Sequence, residues 1–453
     1  MIHTLGEIMR IGFISPDHLR DWHGTTRLID RIAGNLSERG HEIVLFALEG
    51  SASSNIPVSS RPYPHELITF HWNNAEGRSK VRDKMAMSKL DICVASLNND
   101  SIMYMPSIFK DLNIPFVYGD PHDPLVRTYR NWQPYESFGA LACADAIQTL
   151  LPEYIEYYPK VLQPRVRAIG IPAPQPQNID LSPRNNKETY TIIAVGRFNE
   201  QLKRYSLLLR AFALLSKDFP HWRLKMVGDG QFWEYYHIMV QQLGIKNKVK
   251  FTGAVADPDE HYRTADIFCL PSWTEGFPLV IAEAAAYALP IVGYRTCRAL
   301  DVLIEDDMGA LAESDYRVDQ PESLAETLRS LMILSSEERK QMGIIARDKI
   351  QAMYGEAIVF NAWEQLIMDT IDRYKLGEQW KGLEPDSPIW TEEVLQVASN
   401  EIAEREDPFT IPEKILLQCE LAKSKQEYKS LEEKYNTLLG QYQLLAARKG
   451  KRR

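Results

Sequence analysis

The chain has 453 residues, a formal net charge of −9, 45% hydrophobic and 25% charged residues. This is the make-up of a globular protein too long for one ordinary core, so two domains and an extension are expected. The acidic balance argues against a generally nucleic-acid-binding surface.

No apolar run approaches the ~20 residues that span a bilayer, and the N-terminus lacks the apolar core of a secretion signal. Five scattered cysteines, Cys93, Cys143, Cys269, Cys297 and Cys419, form no Cys-x-x-Cys and no Cys/His cluster. They read as buried, reduced thiols of a cytoplasmic protein, not as a disulfide frame or a zinc site. Met1–Ile8 precede a second methionine, Met9, so they are either an extension or residues ahead of the true start.

Arg10–Ser15 reads as a first parallel strand, Asp21–Thr25 as a loop and Thr26–Arg39 as an amphipathic helix. Gly40–His41 ends that helix and Glu42–Ala47 is the next strand. The strand-to-helix loop lies over the carboxyl edge of the sheet, where open α/β sheets bind ligands. Gly24 in that loop either lets a phosphate or sugar approach the backbone or only shapes the turn. Strands are expected at Pro64–Phe70, Asp91–Ser96 and Pro115–Gly119, with a helix around Met103–Leu112. His122 follows the last of these on the loop Gly119–Asp123, at the cleft edge; the alternative is an ordinary polar loop residue. Ala173–Lys187, rich in Pro, Gln and Asn without periodicity, reads as an interdomain linker.

Thr191–Val195 begins the second half as a strand, followed by Gly196-Arg197, Leu202-Lys203-Arg204 and a helix at Ser206–Leu215. The guanidinium of Arg197 and the ammonium of Lys203 suit two phosphates, unless they are only surface charges on a loop. Trp222–Gly228 and Val249–Val255 read as strands. Asp257-Pro258-Asp259 has the Asp-x-Asp form that can hold a divalent cation. It begins the segment Pro258–Arg263 and reads instead as a helix N-cap with a charged first turn, so no metal ligand is assigned.

Ile267–Leu270 is a short apolar run with the character of a buried strand; Pro271–Gly276 is a loop, and Pro278 opens an Ala-rich helix. Glu275 sits just ahead of the helix N-terminus, near unpaired N–H groups and the positive end of the dipole. Glu283 lies about one and a half turns along. Phosphate at the helix start, ribose on Glu283 and sugar hydroxyls on Glu275 together describe a nucleotide-sugar site. The alternative is a Glu favoured by the dipole and a second on a solvated face. Pro290–Tyr294 reads as a further strand, and Ser323–Met332 and Ser336–Met353 as amphipathic helices.

Pro271-Ser272-x-x-Glu275-Gly276-Phe277-Pro278-Leu279, with Glu283 completing a Glu-x7-Glu spacing on the Ala-rich helix, strongly resembles the donor-site signature of retaining glycosyltransferases of family four. The resemblance implies an α/β chain of GT-B architecture, two Rossmann-like domains facing across a cleft, over roughly residues 9–372. The expected division is an acceptor-side domain at 1–172, a linker at 173–187, a donor domain at 188–355 and a terminal helix at 356–375 crossing back. Phe138–Leu150, Val166–Pro172, Asp306–Leu311 and Tyr354–Ile371 resemble, in turn, a strand segment, the strand closing the first domain, a variable segment and the last helix.

The implied activity is a metal-independent, hexosyltransferase-like transfer from a nucleoside-diphosphate sugar, with no further cofactor. The acceptor is a hydroxyl of a glycan or lipid-linked glycan, with cell-surface polysaccharide as the frequent family case. By the resemblance, Arg197 and Lys203 hold the diphosphate, Gly24 and Gly196 give it room, and Glu283 takes the ribose. Glu275, Gly276, Phe277, Pro278 and Leu279 hold sugar and phosphate, and Val255 lies by the base. His122 sits by the reacting carbon or the acceptor, and no nucleophile is assigned. The chain departs from the pattern at Lys203-Arg204, where Lys-Gly is usual and the spacing from Arg197 is one longer, which leaves the part of Arg204 open. A non-catalytic nucleotide-sugar-binding scaffold is the rival reading, opposed by the presence of Arg197, Lys203, Glu275 and Glu283 together. A phosphorylase of the same architecture is opposed by the lack of an evident pyridoxal-phosphate lysine motif.

Beyond this core, 376–411 is an irregular acidic linker and 412–453 a heptad helix with a basic tail. Leu417, Leu421, Ser424, Tyr428, Leu431, Tyr435, Leu438, Tyr442 and Leu445 step by four and three, an a/d seam of about four heptads. Self-association or a partner protein through 417–445 is expected. Arg448–Arg453 is either a solvated tail or a peripheral contact with anionic lipid at the inner face of the cell membrane.

Overall fold

The computed structural model describes residues 8–15, 24–48, 63–70, 75–96, 101–124, 141, 143–158, 160–184, 188–313 and 320–377. The acidic linker from residue 378 on, the heptad seam at 417–445 and the basic tail lie outside the described residues.

The first sheet contains β1 (Arg10–Ser15), β2 (Glu42–Leu48), β3 (Glu66–Phe70), β4 (Ile92–Ala95), β5 (Phe116–Gly119), β6 (Ala146–Thr149) and β7 (Val166–Ala168), ordered β3-β2-β1-β4-β5-β6-β7. The second contains β8 (Tyr190–Val195), β9 (Trp222–Val227), β10 (Val249–Phe251), β11 (Ile267–Leu270), β12 (Ile291–Tyr294) and β13 (Gly309–Ala312), ordered β10-β9-β8-β11-β12-β13. All pairings within both sheets are parallel. β4, β5, β6, β11 and β12 are buried along their whole length, which is why they read as short continuous apolar runs. Strand order reverses between β1 and β4 and again between β8 and β11. The carboxyl ends at such a reversal are where open α/β sheets bind ligands.

In the first half the helices are α1 (Gly24–Glu38), α2 (Ala75–Ser88) and α3 (Ser101–Asp111). In the second they are α4 (Glu200–Lys203), α5 (Tyr205–Leu215), α6 (Trp233–Gln242), α7 (Asp259–Arg263), α8 (Leu279–Ala286), α9 (Arg298–Leu303), α10 (Pro321–Met332), α11 (Ser336–Tyr354) and α12 (Glu356–Lys375). α1 buries Leu28, Ile29, Ile32, Ala33 and Leu36 at helical spacing. α11 starts with a complete capping box, the Ser335 hydroxyl accepting from the Glu338 amide and Glu338 accepting from the Ser335 amide.

The chain passes between the two sheets at 172–174 and returns at 354–356, and the two crossings lie side by side: Ala173 N–H donates to Tyr354 O at 2.7 Å. Arg31 on α1 grips both, donating to Pro172 O and, at 2.7 Å, to Glu356. Burial pulls the Arg31 guanidinium below its ordinary pKa, with Glu356 working against that shift. α12 then packs onto the first half through Val359, Trp363, Ile367 and Ile371, while Glu364 faces His41 and Arg39.

Several elements differ from the sequence reading. α1 begins at Gly24, inside the expected loop. β10 stops at Phe251, so Val255 is on a loop. The expected variable segment at Asp306–Leu311 runs into β13, an edge strand. α2, α4, α6 and α9 have no counterpart in that reading. Among the described residues, no helix is long and apolar enough to cross a membrane.

Candidate functional site

After β8 the backbone turns on glycine. Gly196 has φ 150°, and a Cβ there would lie 2.7 Å from Tyr205 Oη. Gly228, φ 140°, faces it so closely that its own Cβ would meet Gly196 O at 1.9 Å. Two strand-end loops therefore share one narrow floor, which side chains would fill.

Arg197 is exposed on the β8 loop, and Lys203 closes α4. Lys203 Nζ lies 2.5 Å from Glu275 Oε1, with side chains 19% and 13% exposed. Arg204 adopts the left-handed conformation (φ 47°), is buried, and points elsewhere. Its guanidinium stacks over Tyr294 at 4.9 Å and Trp273 at 5.8 Å, and its Nε donates to Pro271 O at 3.3 Å. The usual Gly position is thus occupied by an arginine that holds the β11 loop.

The β11 loop carries Glu275 and is pinned from both halves. Trp273 N–H donates to Leu202 O at 2.9 Å on its own side. From the first half, the Tyr154 hydroxyl donates to Glu275 O at 2.9 Å, and the Thr274 hydroxyl donates to Asp123 Oδ2 at 3.3 Å. Burial, then the charge of Asp123, pushes the Tyr154 phenol far up, so it remains a hydroxyl donor at any ordinary pH. Gly276 fits under the first-half loop: a Cβ there would lie 2.5 Å from Pro121 O and 3.1 Å from His122 Cα. His122 is thereby placed beside Glu275-Gly276. Its imidazole is 43% exposed, with Nδ1 3.9 Å from Oδ1 of the buried Asp120, which also accepts from the Tyr158 hydroxyl at 2.6 Å.

Pro278 caps α8 without a side-chain hydrogen bond, and the first N–H groups of the helix lack intrahelical partners. Phe277 is buried edge-on to Tyr354, ring centroids 4.8 Å apart, where the chain crosses back. Leu279 is half-buried against the core. Further along α8, Glu283 is 13% exposed and uses both oxygens. Oε2 accepts from the Tyr262 hydroxyl at 2.8 Å; Oε1 lies 3.5 Å from Arg27 Nη1, which comes from α1 of the first half. Burial, then Glu283, raises the Tyr262 phenol well above its usual value and so fixes it as a donor.

Lys203, Glu275, Gly276 and His122 are thus brought together, with Arg197 on the adjoining loop and Glu283 further along α8. Gly24 stands as the first residue of α1; Trp22 and His23 of its expected loop are outside the described residues. Val255 is half-buried, packed against the core. Asp257 is committed to the backbone, accepting from the Asp259 N–H at 2.9 Å, and the cap residue itself is Pro258. Among the described residues, no three His, Cys, Asp or Glu side chains gather as a metal site requires. Sequence reasoning missed Arg27, Tyr262, Tyr154, Asp123 and Thr274. Arg27, Tyr262, Tyr154 and Asp123 act on Glu283 or the Glu275 loop from other elements, Thr274 answers Asp123 from within that loop, and no local pattern marks these contacts.

Residues 177–349, which span the whole second sheet, match the family model of glycosyl transferases group 1. That stretch of the chain, its second half, carries the signature of the family. This glycosyltransferase is 23% identical over 354 residues to an uncharacterized glycosyltransferase of Haemophilus influenzae, covering 76% of this chain and 96% of that protein. It is 24% identical over 176 residues to the amylovoran biosynthesis glycosyltransferase AmsD of Erwinia amylovora, covering 39% and 47%. Among solved structures, Anabaena HepE in complex with UDP and glucose superposes with a TM-score of 0.63 at 17% identity, covering 80% of this chain and 100% of that one. The GT-B architecture of two facing Rossmann-like sheets holds for this glycosyltransferase as well.

Proposed function

We propose that the enzyme transfers a hexosyl group, with retention at the anomeric carbon and without a metal ion, from a nucleoside-diphosphate sugar to a hydroxyl of a glycan or lipid-linked acceptor. The observation that carries this reading is the Lys203–Glu275 contact of 2.5 Å at the start of α8, on the same helix unit as Glu283. A cation and a carboxylate paired there are each available to half of the donor: Lys203 to a phosphate, Glu275 to sugar hydroxyls.

As the bond from the anomeric carbon to the phosphate oxygen breaks, negative charge grows on the diphosphate. Arg197, Lys203 and the α8 N-terminus oppose it, and such electrostatic stabilisation usually supplies more of the rate enhancement than any other effect. The acceptor oxygen bonds to the anomeric carbon on the face the phosphate leaves, and the acceptor proton passes to the departing phosphate oxygen. No protein nucleophile is needed. Glu283 anchors the ribose, and His122, beside Gly276, orients the acceptor or the sugar. Gly24, Gly196 and Val255 are assigned the donor's surroundings on the family pattern alone. The same reading keeps the enzyme in the cytoplasm, at most peripheral on the inner face of the membrane. Support for a uridine donor comes from HepE, solved with UDP and glucose, and support for polysaccharide synthesis from AmsD.

The test is calorimetry with UDP-, GDP- and ADP-glucose, with and without EDTA, on the wild type and Glu283→Ala. One donor is expected to bind regardless of EDTA and to lose at least about tenfold in affinity on substitution. Binding that requires magnesium or survives the substitution overturns the site. Donor binding without release of nucleoside diphosphate in the presence of any hydroxyl acceptor would favour a scaffold.

A further inference from the structure

Glu283 projects from the second half, yet the cation facing it comes from the first. Arg27 sits one turn into α1, at the carboxyl end of β1 beside the reversal of strand order. Its Nη1 is 3.5 Å from Glu283 Oε1, and the side chain remains 46% exposed. One turn further along α1, Arg31 is already taken by Pro172 O and Glu356 at the crossings. Arg31 is fixed; Arg27 is loosely held.

An ion pair at 3.5 Å whose guanidinium is this open to water contributes little. Ribose hydroxyls seeking the Glu283 carboxylate would claim the same Oε1 that Arg27 faces, because Oε2 already accepts from Tyr262. The diphosphate arrives covalently attached to that ribose and offers the displaced guanidinium a more strongly charged, forked acceptor. Long, half-exposed and tethered to a helix fixed by Arg31, Arg27 can change partner by side-chain rotation alone.

We infer that Arg27 is a third donor-binding cation, supplied from across the cleft, which releases Glu283 to the ribose and takes the diphosphate. This rests on Glu283 as the ribose carboxylate. It makes the donor site complete only when the two halves face each other as they do here, and it couples nucleotide binding to that approach.

The test titrates UDP and uridine into the full-length wild type, Arg27→Ala, Arg27→Lys and Glu283→Ala, with GDP/guanosine and ADP/adenosine alongside to cover the base. Circular dichroism melts check that each variant folds. Arg27→Ala is expected to weaken the diphosphate by about tenfold while leaving the nucleoside unchanged, with Arg27→Lys retaining part of the affinity. In turnover the donor KM rises more than kcat falls. Unchanged diphosphate affinity in Arg27→Ala overturns the inference, and tighter binding overturns it too by making Arg27 a mere competitor. If Glu283→Ala leaves both diphosphate and nucleoside binding intact, the ribose assignment itself falls.

Discussion

Gly276 and Pro121 belong to opposite halves of the enzyme, and a single methyl group on the glycine would come within 2.5 Å of the proline carbonyl oxygen. The signature glycine therefore marks the point where the Glu275 loop meets the loop that carries His122. Its backbone is not in the left-handed region that demands glycine, so the cost of a side chain falls on the approach of the two loops.

Gly276→Ala is accordingly expected to leave the fold intact and push the loops apart. A displacement near 1 Å at a reacting centre costs about 10²-fold in kcat/KM. Kinetics should show a loss of that order, with a small change in unfolding temperature and a larger radius of gyration by X-ray scattering. Unimpaired kinetics would mean that the His122 loop stands clear of the reaction.

Lys203→Ala removes the ammonium that lies 2.5 Å from Glu275 Oε1. If Lys203 opposes charge growing on the diphosphate, kcat falls by about 10²–10³-fold, the range for loss of one such group. Folding stability falls as well, because Glu275, 13% exposed, loses its paired cation, so the kinetics are compared on the folded variant. Glu275→Gln in the same background should add less than it does in the wild type, since contacting residues couple. Additive losses in this double-mutant cycle would separate the two roles.

What was legible in the sequence was what is contiguous. Pro271 to Glu283 lie on one strand–loop–helix unit, so their chemistry could be read from spacing and helix geometry. Arg27 and Tyr262 meet at Glu283 from two other elements, and neither sits in a recognisable pattern: one is a charge on an amphipathic helix, the other a tyrosine in the short α7. β13 escaped notice because Gly309-Ala310-Leu311-Ala312 has little strand propensity and is placed by its neighbour β12. α2, with Gly77 and Ser79 among charges, lacks the apolar stripe that announces a helix. Arg204 shows the opposite case: a basic residue beside Lys203 proved to be buried against Tyr294 and Trp273.

Tyr262→Phe deletes one hydroxyl from a buried ring that stacks on Tyr287, centroids 5.7 Å apart and planes 11° from parallel. The ring packing survives, so stability should hold. Glu283 loses the donor that aims Oε2, and nucleoside-diphosphate affinity should weaken by about three- to tenfold, the worth of one hydrogen bond. Calorimetry on the purified variant measures this directly. An unaltered Kd would show that Tyr262 serves the core alone.

Glu364 on α12 ties the returning helix to the first half. Its Oε1 lies 3.0 Å from His41 Nε2, and the other oxygen accepts from Arg39. Partial burial pushes the carboxyl up, but the hydrogen bonds and charges of His41 and Arg39 outweigh it and hold the pKa below the ordinary 4.5. A carboxyl lowered in the folded state contributes stability above its unfolded pKa and loses it as pH falls through the folded one. Glu364→Gln should therefore be less stable than the wild type near neutral pH, and the gap between the two urea-unfolding free energies should close as pH drops below 4.5. A gap that persists into acid would assign Glu364 a packing role and leave the attachment of α12 to Val359, Trp363 and Ile367.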